Sequence, residues 1–197
     1  LGWVPTLLHP NELADGIIVD PYNPPAGMRD SMFTHQNHPV VERLYNSHGK
    51  DIDFKGIMLY RAQVRSLVDK ERTTDFAANI LRIMKVDGVV MTWTGGGNPG
   101  MDIMMLAKKC ENFGIKASIL NTEMSGKPGD TGFVDYVDEA DAIVNVGNFE
   151  EVVKIPAVNK LIGGTRISEP DLDATQEIEL PLRYLYGATN PMGSSNL

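Results

Sequence analysis

Between residues 54 and 146, short apolar runs alternate with longer stretches of helical period, and no other feature of the chain constrains the fold as tightly. Residues 54–60 form a compact apolar run that reads as a buried strand. Residues 69–84 place Phe76, Ala77, Ile80, Leu81 and Met84 at helical spacing. Asp87-Gly88 breaks that pattern, and residues 89–93 give a second strand. Helical period returns over residues 102–113 with Ile103, Leu106, Ala107 and Cys110, and Gly114 supplies a C-terminal stop. Residues 115–120 and 142–146 read as two further strands. Strands that alternate with helices need crossover connections, so the expected class is α/β, with a parallel or mostly parallel sheet and helices on both faces.

The flanks are read by their punctuation. Pro39 at a first helical position opens a helix that Gly49 stops. Pro5, Pro10, Pro21, Pro24 and Pro25 crowd the first 35 residues, and each fixes φ and removes a backbone donor. That stretch is expected to be an irregular arm lying on another surface, with one short strand over residues 16–19. The expected division is an extended arm over residues 1–37 and an α/β domain over 38–197, with residues 177–185 alternating like an edge strand.

Composition then excludes several classes of function. With 197 residues, 42% of them hydrophobic and 22% charged, the chain can bury one core and is too apolar to stay disordered. No run approaches the roughly 20 apolar residues of a membrane span. A net charge of -8 without Lys/Arg blocks argues against nucleic acid or anionic lipid as a main partner. The single cysteine leaves no internal disulfide framework and suits a reducing, cytoplasmic setting. The opening Leu1-Gly2-Trp3-Val4-Pro5 lacks an initiator Met and a signal-peptide pattern, so it reads as a trimmed chain or as the downstream product of a cleaved precursor.

Candidate chemistry gathers in the loops that follow the strands. Thr94, Gly95, Gly96, Gly97 and Asn98 connect a strand to a helix that soon carries Asp102. Glycines let backbone amides approach a ligand, and a helix N-terminus offers free N–H groups to an anion. The segment lacks both GxGxxG spacing and the P-loop lysine, so no nucleotide is expected. Two readings stay open: a carboxylate-binding or interface loop, or a tight turn with Asp102 balancing the helix dipole. Glu123 and Asn148 follow the next two strands and should reach the same sheet edge, Glu123 as a base or ammonium partner or simply as a solvated or capping residue. His9, His35, His38 and His48 show no metal-ligand spacing, so no metal is expected. Residues 35–39 suggest helix entry and local hydrogen bonding, and Cys110 reads as a buried, inert thiol.

An ordered set of short strings adds a resemblance. Asn11 to Gly16, Gln36 to Val41, Leu44 to Asp51, Asp69 to Arg72, Val86 to Val90, Gly96 to Pro99 and Leu185 to Asn190 together resemble the precursor of component B of glycine, sarcosine and betaine reductases, a relative of the D-proline reductase proprotein. The likeness runs from about residue 11 to residue 190 and corresponds to the C-terminal half of such precursors. It implies a subunit of an anaerobic, amine-fermenting reductase that cleaves a C–N bond of glycine, sarcosine, betaine or D-proline. It also implies three partners: the upstream fragment of the same precursor, a selenocysteine- or cysteine-containing subunit, and a small amine or amino acid. In this family a precursor cysteine becomes an N-terminal pyruvoyl group, an electrophile that no standard side chain supplies. No cysteine occurs in residues 1–109, so such a group would come from a cysteine not in this sequence. The alternative is a scaffold subunit that lacks the pyruvoyl group.

Overall fold

The computed structural model describes residues 4–16, 36–63, 65–93, 98–121, 135–145, 152–167 and 171–181. The N-terminal segment is more regular than its prolines suggest. Strand β1 (Thr6–Leu8) pairs antiparallel with β2 (Ile57–Leu59), Thr6 opposite Leu59. Between them comes the short helix α1 (Pro10–Ala14), where Pro10 fits the first position because no donor is needed there. Its cap is reciprocal: the His9 Nδ1 accepts from the Asn11 N–H at 3.1 Å, and Glu12 Oε2 accepts from the His9 N–H at 2.8 Å. Residues 17–20, which hold most of the expected 16–19 strand, lie outside the described residues.

Helix α2 (Pro39–Ser47) begins at the proline read from sequence, and Gly49 follows it with φ 74°. Its Tyr45 ring meets His9 edge-on at 5.9 Å. The long helix α3 (Leu67–Met84) is capped by Ser66, whose Oγ accepts from the Asp69 N–H. It ends on Lys85, a non-glycine residue in the left-handed region at φ 54°.

The parallel sheet contains β3 (Gly88–Met91), β4 (Lys116–Asn121) and β5 (Ile143–Asn145), in the order β3-β4-β5. Helix α4 (Asn98–Asn112) makes the crossover from β3 to β4. Gly114 ends α4 as expected, at φ 77°, while the Ile115 N–H donates back to the Cys110 carbonyl at 2.9 Å. The α/β class therefore holds, but β2 departs from the expected pattern. It pairs with β1 instead of extending the parallel sheet, although Met58 and Tyr60 still pack on the core.

That core is built by α3, α4, β3 and β4. Ala77, Ala78 and Leu81 of α3 meet Ile103, Met104, Leu106, Ala107 and Cys110 of α4, which in turn covers Met91, Ala117 and Ile119 of the sheet. The small residues of α3 admit a close helix approach, and Lys109 laces the contact by donating to Glu71 O, Thr74 Oγ1 and Asp75 Oδ1. Phe76 does not join this core. Its ring lies on the outer side of α3 and is 49% exposed. Beyond the sheet, β6 (Val152–Ile155) pairs antiparallel with β9 (Ile178–Pro181), the latter falling within the expected edge strand. The small ladder β7 (Arg166–Ile167) with β8 (Leu172–Asp173) lies between them in sequence.

Candidate functional site

Because β3, β4 and β5 are parallel and in register, the residues at their carboxyl ends share one edge of the sheet. Such edges are where open α/β sheets bind ligands, since crossover loops leave a crevice there. Thr92 and Trp93 leave β3, Asn121 ends β4, and Asn145 ends β5. The Trp93 Nε1–H donates to Asn121 Oδ1 at 3.0 Å, and Asn121 Nδ2 donates to Asn145 Oδ1 at 3.4 Å. Asn121 is 1% exposed, so these bonds compensate an otherwise costly buried amide. They also fix the indole plane and connect two strands through their side chains. At the same edge Thr92 Oγ1 lies 3.2 Å from His38 Nε2, which ties the start of α2 to the end of β3. His38 thus serves helix entry and local bonding, as its position suggested.

A second cluster lies within the protein around Asp102. The carboxylate is fully buried and accepts from the Tyr60 hydroxyl at 2.8 Å and the Gln63 N–H at 3.3 Å through Oδ1. Its Oδ2 forms an ion pair with Lys70, itself only 4% exposed. Asp102 falls beyond the first turn of α4, and its charge is answered by Lys70. The sequence readings of this residue, as a dipole partner or as a ligand group in the loop, both miss this ion pair. Burial, followed by the neighbouring Asp102 charge and its hydrogen bond, pushes the Tyr60 phenol well above its ordinary value of 10.0. Tyr60 therefore stays protonated at neutral pH and donates to Asp102.

Of the other residues singled out in sequence, Asn98 opens α4. Thr94, Gly95, Gly96, Gly97, Glu123 and Asn148 lie outside the described residues. The structure brings in Lys70, Tyr60 and Asn145, which the loop reading did not name, together with Trp93 and Asn121, which stand at the start of the loops it did name. Asn121 and Asn145 carried a signal, since each is a polar residue closing an apolar strand. Chemically, the described part of the edge offers amide, hydroxyl, imidazole and indole groups. Such a set can orient a small polar molecule by hydrogen bonds. No group of three or more metal-ligating side chains occurs among the described residues. Among them, too, no helix is long and apolar enough to cross a membrane.

Cys110 is 0% exposed within the body of α4, and burial pushes its thiol up to about 11. A precursor cysteine must sit at a scissile junction, whereas this one occupies a helical core position. The residues present therefore do not fit an origin of a pyruvoyl group within this chain.

An α/β domain with a polar row along the carboxyl edge of a parallel sheet belongs to a large class of small-ligand folds. Comparison with known proteins narrows that class. The family described as glycine/sarcosine/betaine reductase component B subunits matches residues 2–196, and the chain belongs to that family. It is 34% identical over 198 residues to the glycine reductase complex component B subunits alpha and beta of Peptoclostridium acidaminophilum, covering 96% of this chain and 46% of that relative. From the same organism, the sarcosine reductase complex component B subunit alpha is 36% identical over 162 residues, covering 82% of this chain and 38% of the relative. The betaine reductase complex component B subunit alpha is 34% identical over 168 residues, with the same two coverages, 82% and 38%. The chain spans less than half the length of the curated relatives it matches. No solved structure matches it.

Proposed function

We propose that the chain is a subunit of a multi-subunit reductase that reductively cleaves the C–N bond of glycine, sarcosine, betaine or a related amine or amino acid, D-proline included. In this reading it works with a subunit bearing selenocysteine or a reactive cysteine. The observation that carries the proposal is family membership over residues 2–196 combined with a lone cysteine sealed in the core. Reductive cleavage delivers two electrons to the substrate, and a thiol can do so only as an accessible thiolate. Cys110 meets neither condition, so in this reading the electron-carrying group lies outside residues 1–197. Residues 1–197 contain no other cysteine, so a pyruvoyl group in the assembled enzyme arises from a cysteine outside them.

Within such a complex this chain contributes the carboxyl edge of its sheet. Thr92, Trp93 and Asn145 meet the polar groups of a small ligand there, and the buried Asn121 amide holds Trp93 and Asn145 in place. The ion pair beneath holds α4 against α3 and so fixes where that edge lies.

The test is purification of the complex through a tag on this chain, followed by assay of amine-dependent release of ammonia, methylamine or trimethylamine with a dithiol reductant. Activity that separates from the tagged chain overturns the subunit reading. The position of the cysteine also favours a second reading, a scaffold subunit without an electrophile. Hydroxylamine or borohydride trapping with intact-mass analysis decides between them. An adduct on this chain assigns it the carbonyl, whereas an unmodified chain in an active complex makes it a scaffold.

A further inference from the structure

The buried cluster around Asp102 lies at the same end of the fold as the polar row. Residues 85–87 join the end of α3 to the start of β3, and residues 113–115 join the end of α4 to the start of β4. Connections this short put the last turns of both helices at the amino ends of the strands, so both helices start at the carboxyl edge. Lys70 stands near the start of α3, Asp102 near the start of α4, and Tyr60 follows β2 on the way into α3. Tyr60 and Trp93 both pack on the core beneath this edge.

Stability alone does not account for two charges in this place. Taking an ammonium and a carboxylate out of water costs much of what their pairing returns, and apolar side chains of similar volume often serve as well or better. What an apolar contact lacks is direction. Ala77 and Ala78 of α3 and Ala107 of α4 give the two helices a shallow contact along which they could slide. Asp102 prevents that. Its Oδ1 accepts from the Tyr60 hydroxyl at 2.8 Å and the Gln63 N–H at 3.3 Å, and its Oδ2 pairs with Lys70, so donors from outside α4 fix the rotation and axial position of that helix at its start. Trp93 precedes Asn98, the first residue of α4, by a short connection, so a shift of α4 is passed to the indole. From the indole the shift reaches Asn121 and Asn145 through their side-chain bonds.

We infer that Lys70, Asp102 and Tyr60 are positioning residues for the carboxyl edge: they pin the start of α4 so that Trp93 and the Asn121–Asn145 pair keep the arrangement that meets a ligand. The effect on turnover rests on the proposed reductase reading, whereas the effect on the edge itself does not.

The test uses Lys70→Met/Asp102→Leu in a Trp3→Phe background, where Trp93 is the sole indole. Hydrogen exchange of the Trp93 indole N–H, followed by NMR, needs no activity, and amine-dependent turnover is measured in the complex purified through this chain. The double variant should unfold in urea close to the parent midpoint while its indole N–H exchanges about tenfold faster, because local opening is then decoupled from global stability. Its kcat/KM should fall about tenfold, with the rise in KM carrying most of the loss. Tyr60→Phe keeps both charges and should move both readouts the same way by a smaller factor, so it decides the matter if the double variant does not fold. Indole exchange and KM equal to the parent's overturn the proposal. So does exchange that quickens only in proportion to lost global stability, the signature of a merely structural pair. Quickened exchange beside a parent complex that turns over no amine supports the positioning role and overturns the reductase reading instead.

Discussion

At the scale of single residues, Asp102 has its charge and lone pairs taken up by three donors inside the protein. Removing one member of a buried ion pair leaves the other charge uncompensated, whereas replacing both with apolar groups of similar size is often neutral. Lys70→Met alone should therefore destabilise the fold by about 3–5 kcal/mol in urea titration, and the double variant Lys70→Met/Asp102→Leu should recover most of that loss. Tyr60→Phe removes one hydrogen bond and should cost about 1 kcal/mol, or somewhat more because Asp102 is charged. Cys110 makes a separate prediction. With its thiol buried and shifted up to about 11, it should be silent to a disulfide reagent at neutral pH and react fully once urea unfolds the chain. Rapid labelling of the native protein would contradict its core placement. The sequence marked Asp102 but not its partners, because Lys70 and Tyr60 lie 32 and 42 residues away. Only the packing of α3 on α4, and the exit of the chain from β2, brings these groups together.

At the scale of secondary-structure elements, the ends of the helices are the most informative places. Lys85 holds a left-handed conformation that glycine adopts without steric cost, so Lys85→Gly should raise stability by about 0.5–1 kcal/mol in thermal unfolding. A decrease would mean that the Lys85 side chain contributes more than its backbone strain removes. The end of α4 is joined to β4 by Glu111, whose carboxylate accepts from Lys116 Nζ at 2.9 Å and from the Ala117 N–H at 2.7 Å. The bond from Lys116 is the largest influence holding the Glu111 carboxyl below its ordinary value of 4.5, with the Ala117 N–H next. A lowered folded pKa gives stability that is present above pH 4.5 and is lost as pH falls through the folded value. Glu111→Gln should therefore flatten the acid limb of a pH–stability curve below about pH 5 relative to the parent chain. Most elements of the parallel sheet were legible because period and punctuation are local: Pro39, Gly49 and Gly114 stand where the sequence placed them. The β1–β2 pairing was not, since it joins segments about fifty residues apart through backbone groups that leave no pattern in either. Phe76 misled for a related reason. Helical spacing groups apolar residues, but it does not say whether one stripe or two will find a partner.

At the scale of the whole molecule, the core cluster is concentrated in α3, α4 and the strands they cover, while β6 and β9 pair with each other and bury Ile178 and Leu180 of β9. Ile155 lies directly opposite Ile178 in the β6–β9 ladder, so the chain leaves this point and returns to it. Residues 156–160 and 162–166 are exposed throughout, with Ile162 at 91%. Limited proteolysis should therefore cut first within residues 156–165, with the two fragments remaining associated through β6 and β9. Early cuts within α3 or α4 would place the weak point elsewhere. A further consequence concerns the evolution of the fold. Since its two ends already meet, the 156–177 excursion behaves as a detachable insert. Relatives could lengthen it, shorten it to a tight turn without β7 and β8, or exchange it for a new docking loop while β6, β9 and the parallel sheet kept their register.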